Sequence, residues 1–326
     1  MKILHPVDEA SWLDVARACD GATFFHTPLW HRLTLTTWPT FRDATVGVLL
    51  PDGTRAVLPL VETARHVRGL FREMVSTFAG NYGGLIADRP LTDEKQRDIY
   101  REVLDSMRIG EAHVTGNPYA PGPAPEGAAS VEDFTHVLRL DAGYDAVAAG
   151  FWKGCRTSTA KARRAGVTVR EAGSVPDFRD YFALYEDSLA RWGDQATSSH
   201  PWKLFENVAA LREKHPANVR LWLADKDGRR VAGALVFYWN RHAVYWHGAA
   251  LAEAFQHSPT NLLLAEVIRD ACDRGISVFD FNPSGGHFGV ARFKESFGAV
   301  KLPVVRSSIS RALYRGARAA SRAVRG

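Results

Sequence analysis

The sequence predicts a two-lobed α/β protein, each lobe a mixed, mostly antiparallel sheet flanked by helices. Three observations carry this. A length of 326 residues is about two domains' worth. Hydrophobic residues at 46% against 24% charged supply enough apolar surface for packed cores. Strand-like runs and helical periodicities recur in similar order on either side of GNPYAPGPAPEGAAS (116–130), whose Pro, Gly and Ala continue neither regular element. The lobes are placed at 1–133 and 134–310, with a basic tail at 311–326.

In the first lobe FFHTPLWHRL reads as a turn-initiated helix start. ATVGVLLP and RAVLPLVE follow as strands joined at Pro51-Asp52-Gly53, where Asp-Gly supplies a hairpin turn. In TDEKQRDIYREVLDSM, Thr92 can cap a helix that places Ile99, Val103, Leu104 and Met107 on one face. A short strand, EAHVTG, precedes the linker.

The second lobe opens with the strand FTHVLRL. Residues 151–170 then hold Lys153, Arg156, Lys161, Arg163, Arg164 and Arg170 without one acid, a basic helix and its exit. Helices are expected across 177–192, from Phe178, Phe182, Leu184, Tyr185 and Leu189, and through KLFENVAALREK. VRLWLA, VAGALVFYW and AVYWHGA are three strands whose tight turns, Asp227-Gly228 and Asn240-Arg241, make them antiparallel neighbours. The helix NLLLAEVIRDACDRG ends at Gly275, and SVFDF, ARFKESFG and LPVVRSS complete the lobe as strand, helix and strand.

Several classes are excluded. No run reaches the ~18 to 20 apolar residues of a membrane span, and the N-terminus has no signal-peptide core, so a cytoplasmic protein is expected, free to sit peripherally at the inner membrane surface. Cys19, Cys155 and Cys272 are too scattered for a disulfide framework or a zinc site, and no metal is expected. The net charge of +5 is unevenly spread: no acid follows Glu295. Arg311, Arg315, Arg318, Arg322 and Arg325 recur every three or four residues, so a helix there would carry one basic stripe suited to tRNA phosphates or an anionic membrane surface. A frayed, solvated terminus fits the same residues.

SPTNLLLAEVIRDACDRG, VFDFNPSGG and ARFKESFGA resemble the acyltransferase superfamily with the GNAT fold. More narrowly they resemble its tandem-domain Fem branch, the peptidyltransferases that use aminoacyl-tRNA, and related N-acyltransferases. The match is strongest at D-F-N-x-S, ending in Ser284, followed by F-K-x-x-F-G at Phe293, Lys294, Phe297 and Gly298. The resemblance implies tandem GNAT-like domains and an amide-forming transfer. The donor would be aminoacyl-tRNA as co-substrate with no other cofactor. The acceptor would be an amine-bearing cell-wall precursor or peptide natural product, including a nucleotide- or lipid-linked peptide. GNAT acetyltransferases hold the coenzyme A pyrophosphate on a glycine-rich R/Q-x-x-G-x-G/A loop before the central helix. The corresponding loop here, LAEAFQHSPTN, has no glycine, and a G-x-x-G-x-A string at Gly286–Ala291 follows a later strand. That departure favours aminoacyl-tRNA over the alternative donors, acyl-CoA or acyl-carrier protein. A non-catalytic RNA- or anionic-surface-binding protein is the reading from another class.

Acyl transfer to an amine passes through a tetrahedral oxyanion, so a site needs a cation or donors there and an acceptor for the amine proton. The resemblance places Lys294 at the reacting ester with Phe293 beside it; without the motif, Lys294 reads as a solvated helix lysine. Asp280 and Asn282 share one face of a strand, where a carboxylate could take the amine proton or cap the Asn282-Pro283 turn. His287, in the following loop, and His247, ending a strand, are candidate bases, though each taken alone reads first as a structural histidine. Ser284 and Asn282 at the strand end and Tyr245 in the aromatic strands are candidate substrate contacts. Lys153, Arg156 and Arg164 of the basic helix suit phosphates of a nucleotide-linked acceptor or of tRNA, or form a plain solvated face.

Overall fold

The computed structural model describes the chain except for residues 67–70, 108, 197–198, 312–313 and 315–326. It divides into two units, Met1–Asp133 with the chain from Pro303 onward, and Phe134–Leu302.

In chain order the first unit holds β1 (Lys2–Leu4), α1 (Glu9–Ala18), α2 (Pro28–Thr37), β2 (Arg42–Asp43), β3 (Val46–Leu49), β4 (Arg55–Leu58), β5 (Val61–His66), β6 (Phe71–Val75), β7 (Ile86–Ala87), α3 (Asp93–Ser106) and β8 (Ile109–Thr115). β9 (Ala129–Arg139) leads into the second unit. This contains α4 (Tyr144–Ala149), α5 (Lys153–Arg164), β10 (Thr168–Ala172), α6 (Val175–Trp192), α7 (Trp202–Lys214), β11 (Val219–Lys226), β12 (Arg229–Trp239), β13 (His242–Ala250), α8 (Pro259–Asp273), β14 (Val278–Pro283) and α9 (Phe288–Glu295). β15 (Val300–Ser310) leads back to the first unit.

Within the first unit, strands run β1-β3-β4-β7 in one sheet and β15-β8-β6-β5-β2 in the other, with β6 and β8 parallel. β15 belongs here from Pro303 because Arg306 through Ser310 pair with β8, from Arg306 opposite Thr115 to Ser310 opposite Glu111. The sequence boundary at 310 therefore falls at 302. Ile99, Tyr100 and Val103 of α3 pack on Val46, Leu58, Met74 and Ala112, and Thr92 caps the helix by accepting from Lys95 N.

The second unit orders its strands β10-β11-β12-β13-β14-β9, antiparallel except for the β13–β14 pair. Asp227 and Gly228 both take positive φ at the β11–β12 turn, and Gly275 (φ +71) ends α8. Its core layer on one face of the sheet joins Leu262–Ala265 and Ile268 of α8 to Phe279, Phe281, Ala243 and Phe297. Several elements escaped the local patterns, among them the α1 helix, the β6 strand, β10 and α4, only six residues long.

Candidate active site

The chemistry-bearing residues meet where β13 and β14 part. Their parallel register runs only from His242 opposite Val278 to Val244 opposite Asp280. Beyond it both strands are irregular. In β13, Leu235 faces His247 while Val236 faces Tyr245, so Trp246 is one residue too many for β12. In β14, Asp280 pairs with Val137 and Pro283 with Thr135, which leaves an extra residue on β14 against β9. Asn282 lies in that irregular stretch at φ +60, a conformation that asparagine tolerates better than most side chains.

Asn282 ties the parted ends together. Its Nδ2 donates to Tyr245 O and Trp246 O, each at 2.8 Å, replacing the ladder that stops at Asp280. Its backbone N–H donates at 2.7 Å to Asp280 Oδ1, which also accepts from Thr135 Oγ1 at 2.5 Å. Asp280 has no exposed surface, so its carboxylate organises this turn. Both donors meet Oδ1, so the reading of Asp280 as a buried carboxylate that holds the turn accounts for these contacts.

Lys294 reaches the same turn from α9. Its Nζ donates to Asn282 O at 2.8 Å, Asn282 Oδ1 at 2.9 Å and Pro283 O at 3.1 Å, and the residue is 3% exposed. The solvated-lysine reading is excluded. An ammonium carries three N–H donors, and three carbonyl acceptors repay much of the desolvation of burying it. Phe293 packs edge-on against Phe297 at 5.4 Å, and Phe297 meets Phe281 at 5.5 Å and Phe151 at 5.1 Å. Gly298 closes the motif for a steric reason: it has φ +78, and a Cβ there would lie 3.1 Å from Gly150 O.

The other candidates sort by geometry. Ser284 Oγ lies 3.5 Å from His136 Nδ1, at the limit of a hydrogen bond. His287 occupies the N-cap position of α9, half-buried, with its ring 4.8 Å from that of Trp192. His247 falls in an aromatic cluster: Nδ1 and the Tyr181 hydroxyl are 2.5 Å apart, and Tyr185 lies edge-on at 4.5 Å. Burial, with a smaller contribution from His200, pulls its pKa to about 3, which disfavours the protonated ring near neutral pH. Tyr245 is half-buried, its ring against the core, and a Cβ on Gly248 would fall 1.6 Å from its hydroxyl oxygen.

On α5, Arg156 is exposed, and its Nη1 turns back to donate to Ala149 O and Phe151 O at the end of α4. Arg163 pairs with Glu266. Lys153 and Arg164 are exposed and pair with no carboxylate among the described residues. In the first unit, Arg311 pairs with Asp105. Arg315, Arg318, Arg322 and Arg325 lie outside the described residues.

Thr135 and His136 are neighbours in this site that the sequence did not single out, because FTHVLRL reads simply as an alternating strand. His136 is buried, with Nε2 3.6 Å from Glu295 Oε1. Burial first, and the Lys294 charge second, lower its pKa. Among the described residues no group of three or more His, Cys, Asp or Glu could hold a metal, and no helix is long and apolar enough to cross a membrane.

The turn before α8, where a pyrophosphate would be bound in a coenzyme A enzyme, is closed on itself. A 3-10 helix spans Ala252–His257, Ser258 has φ +54, and Pro259 opens α8 without an N–H. The N–H groups of Ala254, Ser258 and Asn261 bond to Leu251 O, Phe255 O and Ser258 O within the turn.

Residues 149–295 match the family model described as an acetyltransferase (GNAT) domain. No curated protein matches the sequence. Among solved structures, FemX superposes with a TM-score of 0.67 at 12% identity, covering 94% of this chain and 97% of its own. L-PGS from Bacillus licheniformis superposes at 0.50 with 11% identity, covering 85% and 88%. An acetyltransferase of the GNAT family from Colwellia psychrerythraea superposes at 0.52 with 9% identity, covering 95% and 100%. The fold is thus the FemX-like one.

Proposed function

We propose that this chain, whose second unit carries a GNAT acyltransferase domain, moves an aminoacyl group from aminoacyl-tRNA onto a free amine. The acceptor amine attacks the ester carbonyl carbon, a tetrahedral oxyanion forms, and the carbon–oxygen bond to the ribose breaks. The amine nitrogen loses a proton and the departing ribose oxygen gains one. Lys294 serves the oxyanion by exchanging its longest contact, 3.1 Å to Pro283 O, for the substrate oxygen, while Asn282 holds the ammonium in place. In this reading Phe293, Ser284 and Tyr245 contact the substrate, and His287, at the N-cap position of α9, relays the proton. The acceptor class, an amine of a nucleotide- or lipid-linked peptide, rests on resemblance to the Fem branch.

The observation that carries the choice of donor is the closed turn before α8. Its inward-bonded N–H groups and Pro259 leave little to cradle a pyrophosphate, which argues against coenzyme A and for an ester donor. Likeness to FemX and L-PGS, both aminoacyl-tRNA-dependent, agrees.

The second reading, an N-acyltransferase using acyl-CoA or acyl-carrier protein, is favoured by the match to the acetyltransferase model and by the Colwellia psychrerythraea fold. Purified protein is offered radiolabelled aminoacyl-tRNA and labelled acyl-CoA in parallel over a salt series. Salt-sensitive binding of charged tRNA, with label passing to an amine acceptor, supports the aminoacyl reading. Tight coenzyme A binding with indifference to tRNA sinks it.

A further inference from the structure

The helix that buries Lys294 on one side presents an aromatic and cationic ridge on another. Phe288, the first residue of α9, is 78% exposed, an unusual position for a phenylalanine. Arg292 follows four residues later, on the same helical face and also exposed. The Arg292 guanidinium stands 6.0 Å over the ring of Trp152, itself 46% exposed. Trp152 is fixed there, because its backbone N–H donates at 2.8 Å to Ser296 O just beyond α9. Lys153 adjoins it at the start of α5. Neither Arg292 nor Lys153 pairs with a carboxylate among the described residues.

A core role does not account for two exposed aromatic rings, and ion pairing within the chain does not account for the two cations. Rings that stack on bases beside cations that meet phosphates are what unpaired nucleic acid requires; duplex RNA hides its base faces. We propose that Phe288, Arg292 and Trp152, with Lys153, form the platform on which the single-stranded 3′ end of the donor RNA stacks, delivering its terminal ester to the Lys294 side of α9. This rests on the aminoacyl-tRNA reading above and adds to it the surface that takes the RNA end. A membrane surface is the competing occupant for exposed aromatics with cations, but the observed Arg–Trp layering favours flat π-faced partners.

The test measures binding of a fluorescent single-stranded RNA ending in CCA, of the same RNA annealed to its complement, and of anionic phosphatidylglycerol vesicles. The proteins are wild type, Phe288→Ala, Trp152→Ala and Arg292→Gln. All three side chains are exposed, so thermal melts should be unchanged and serve as the folding control. We expect wild type to prefer the unpaired RNA. Each aromatic variant should lose roughly 5- to 150-fold, and Arg292→Gln should lower the salt slope by about 0.7. Equal RNA binding by wild type and variants overturns the ridge. So does loss of vesicle binding in the variants with RNA binding unchanged, which would assign the ridge to lipid. Transfer from full charged tRNA is scored separately. Intact transfer with ridge-independent RNA binding removes the platform and leaves the donor reading standing. Ridge-dependent RNA binding without transfer from any charged tRNA keeps the platform and removes the donor reading.

Discussion

Asn282 Oδ1 lies 2.9 Å from Lys294 Nζ, and this contact fixes which way the amide faces. An ammonium can only donate, so the amide must turn its oxygen to Lys294 and its NH₂ to Tyr245 O and Trp246 O. One side chain thereby closes the gap between two strands and seats the buried cation.

Substitution of Asn282 separates backbone from side chain. Alanine at φ +60 costs roughly 1–2 kcal/mol of conformational strain that glycine avoids. Both variants leave the Tyr245 and Trp246 carbonyls without the amide, at about 1–3 kcal/mol more. Urea denaturation should rank wild type above Asn282→Gly above Asn282→Ala, with transfer lost in both variants. Equal stability of the two variants would show that the left-handed conformation is not required.

Lys294→Ala should lower transfer by about 10²- to 10³-fold, the range for removing a group that stabilises an oxyanion. It should also destabilise the protein, since three carbonyl acceptors lose their donor. Single-turnover rates well below the variant's melting temperature separate the two effects. A non-catalytic RNA-binding protein would instead keep its activity in Lys294→Ala and lose it on removal of residues 311–326.

Local chemistry made much of this site legible. Asp280 and Asn282 were placed on one strand face by alternation, Asp-Gly marked the turns, and F-K-x-x-F-G marked the helix. What each polar group bonds was not legible, because it depends on irregularities in two strands, β13 and β14. Asp280 meets Thr135 through the extra residue in β14, and Asn282 meets Tyr245 and Trp246 where β13 carries its own. Sequence spacing does not encode such register shifts. For the same reason His136, which owes its interest to Glu295 and Lys294, looked like any strand residue, and the pairing of β15 with β8 shifted a boundary.

Gly248→Ala tests Tyr245 from the next turn of strand. The added methyl would lie 1.6 Å from the Tyr245 hydroxyl oxygen and 2.5 Å from its Cζ, so the ring must move. If Tyr245 contacts substrate, KM for the acceptor or donor should rise several-fold with little change in melting temperature. An unchanged KM removes Tyr245 from the site.

Acid sensitivity should appear well above the carboxylate range. Burial lowers the pKa of His26 and His200 to about 4 and that of His247 to about 3, against an unfolded value of about 6.5. The unfolded chain therefore binds more protons than the folded one below about pH 6.5, and stability present at pH 7 is lost progressively as pH falls toward those folded values. Carboxylates with lowered pKa, such as Asp43 at about 2, contribute their loss only below about pH 4. The window from about pH 6.5 to 4.5 thus reports on histidines. Urea midpoints across it should fall, and His247→Gln, which can still meet the Tyr181 hydroxyl, should flatten the slope by at most about 1.4 kcal/mol per pH unit. An unchanged slope in that variant would mean that His247 takes up its proton in the folded state as readily as in the unfolded one, and would support it as a base for the amine.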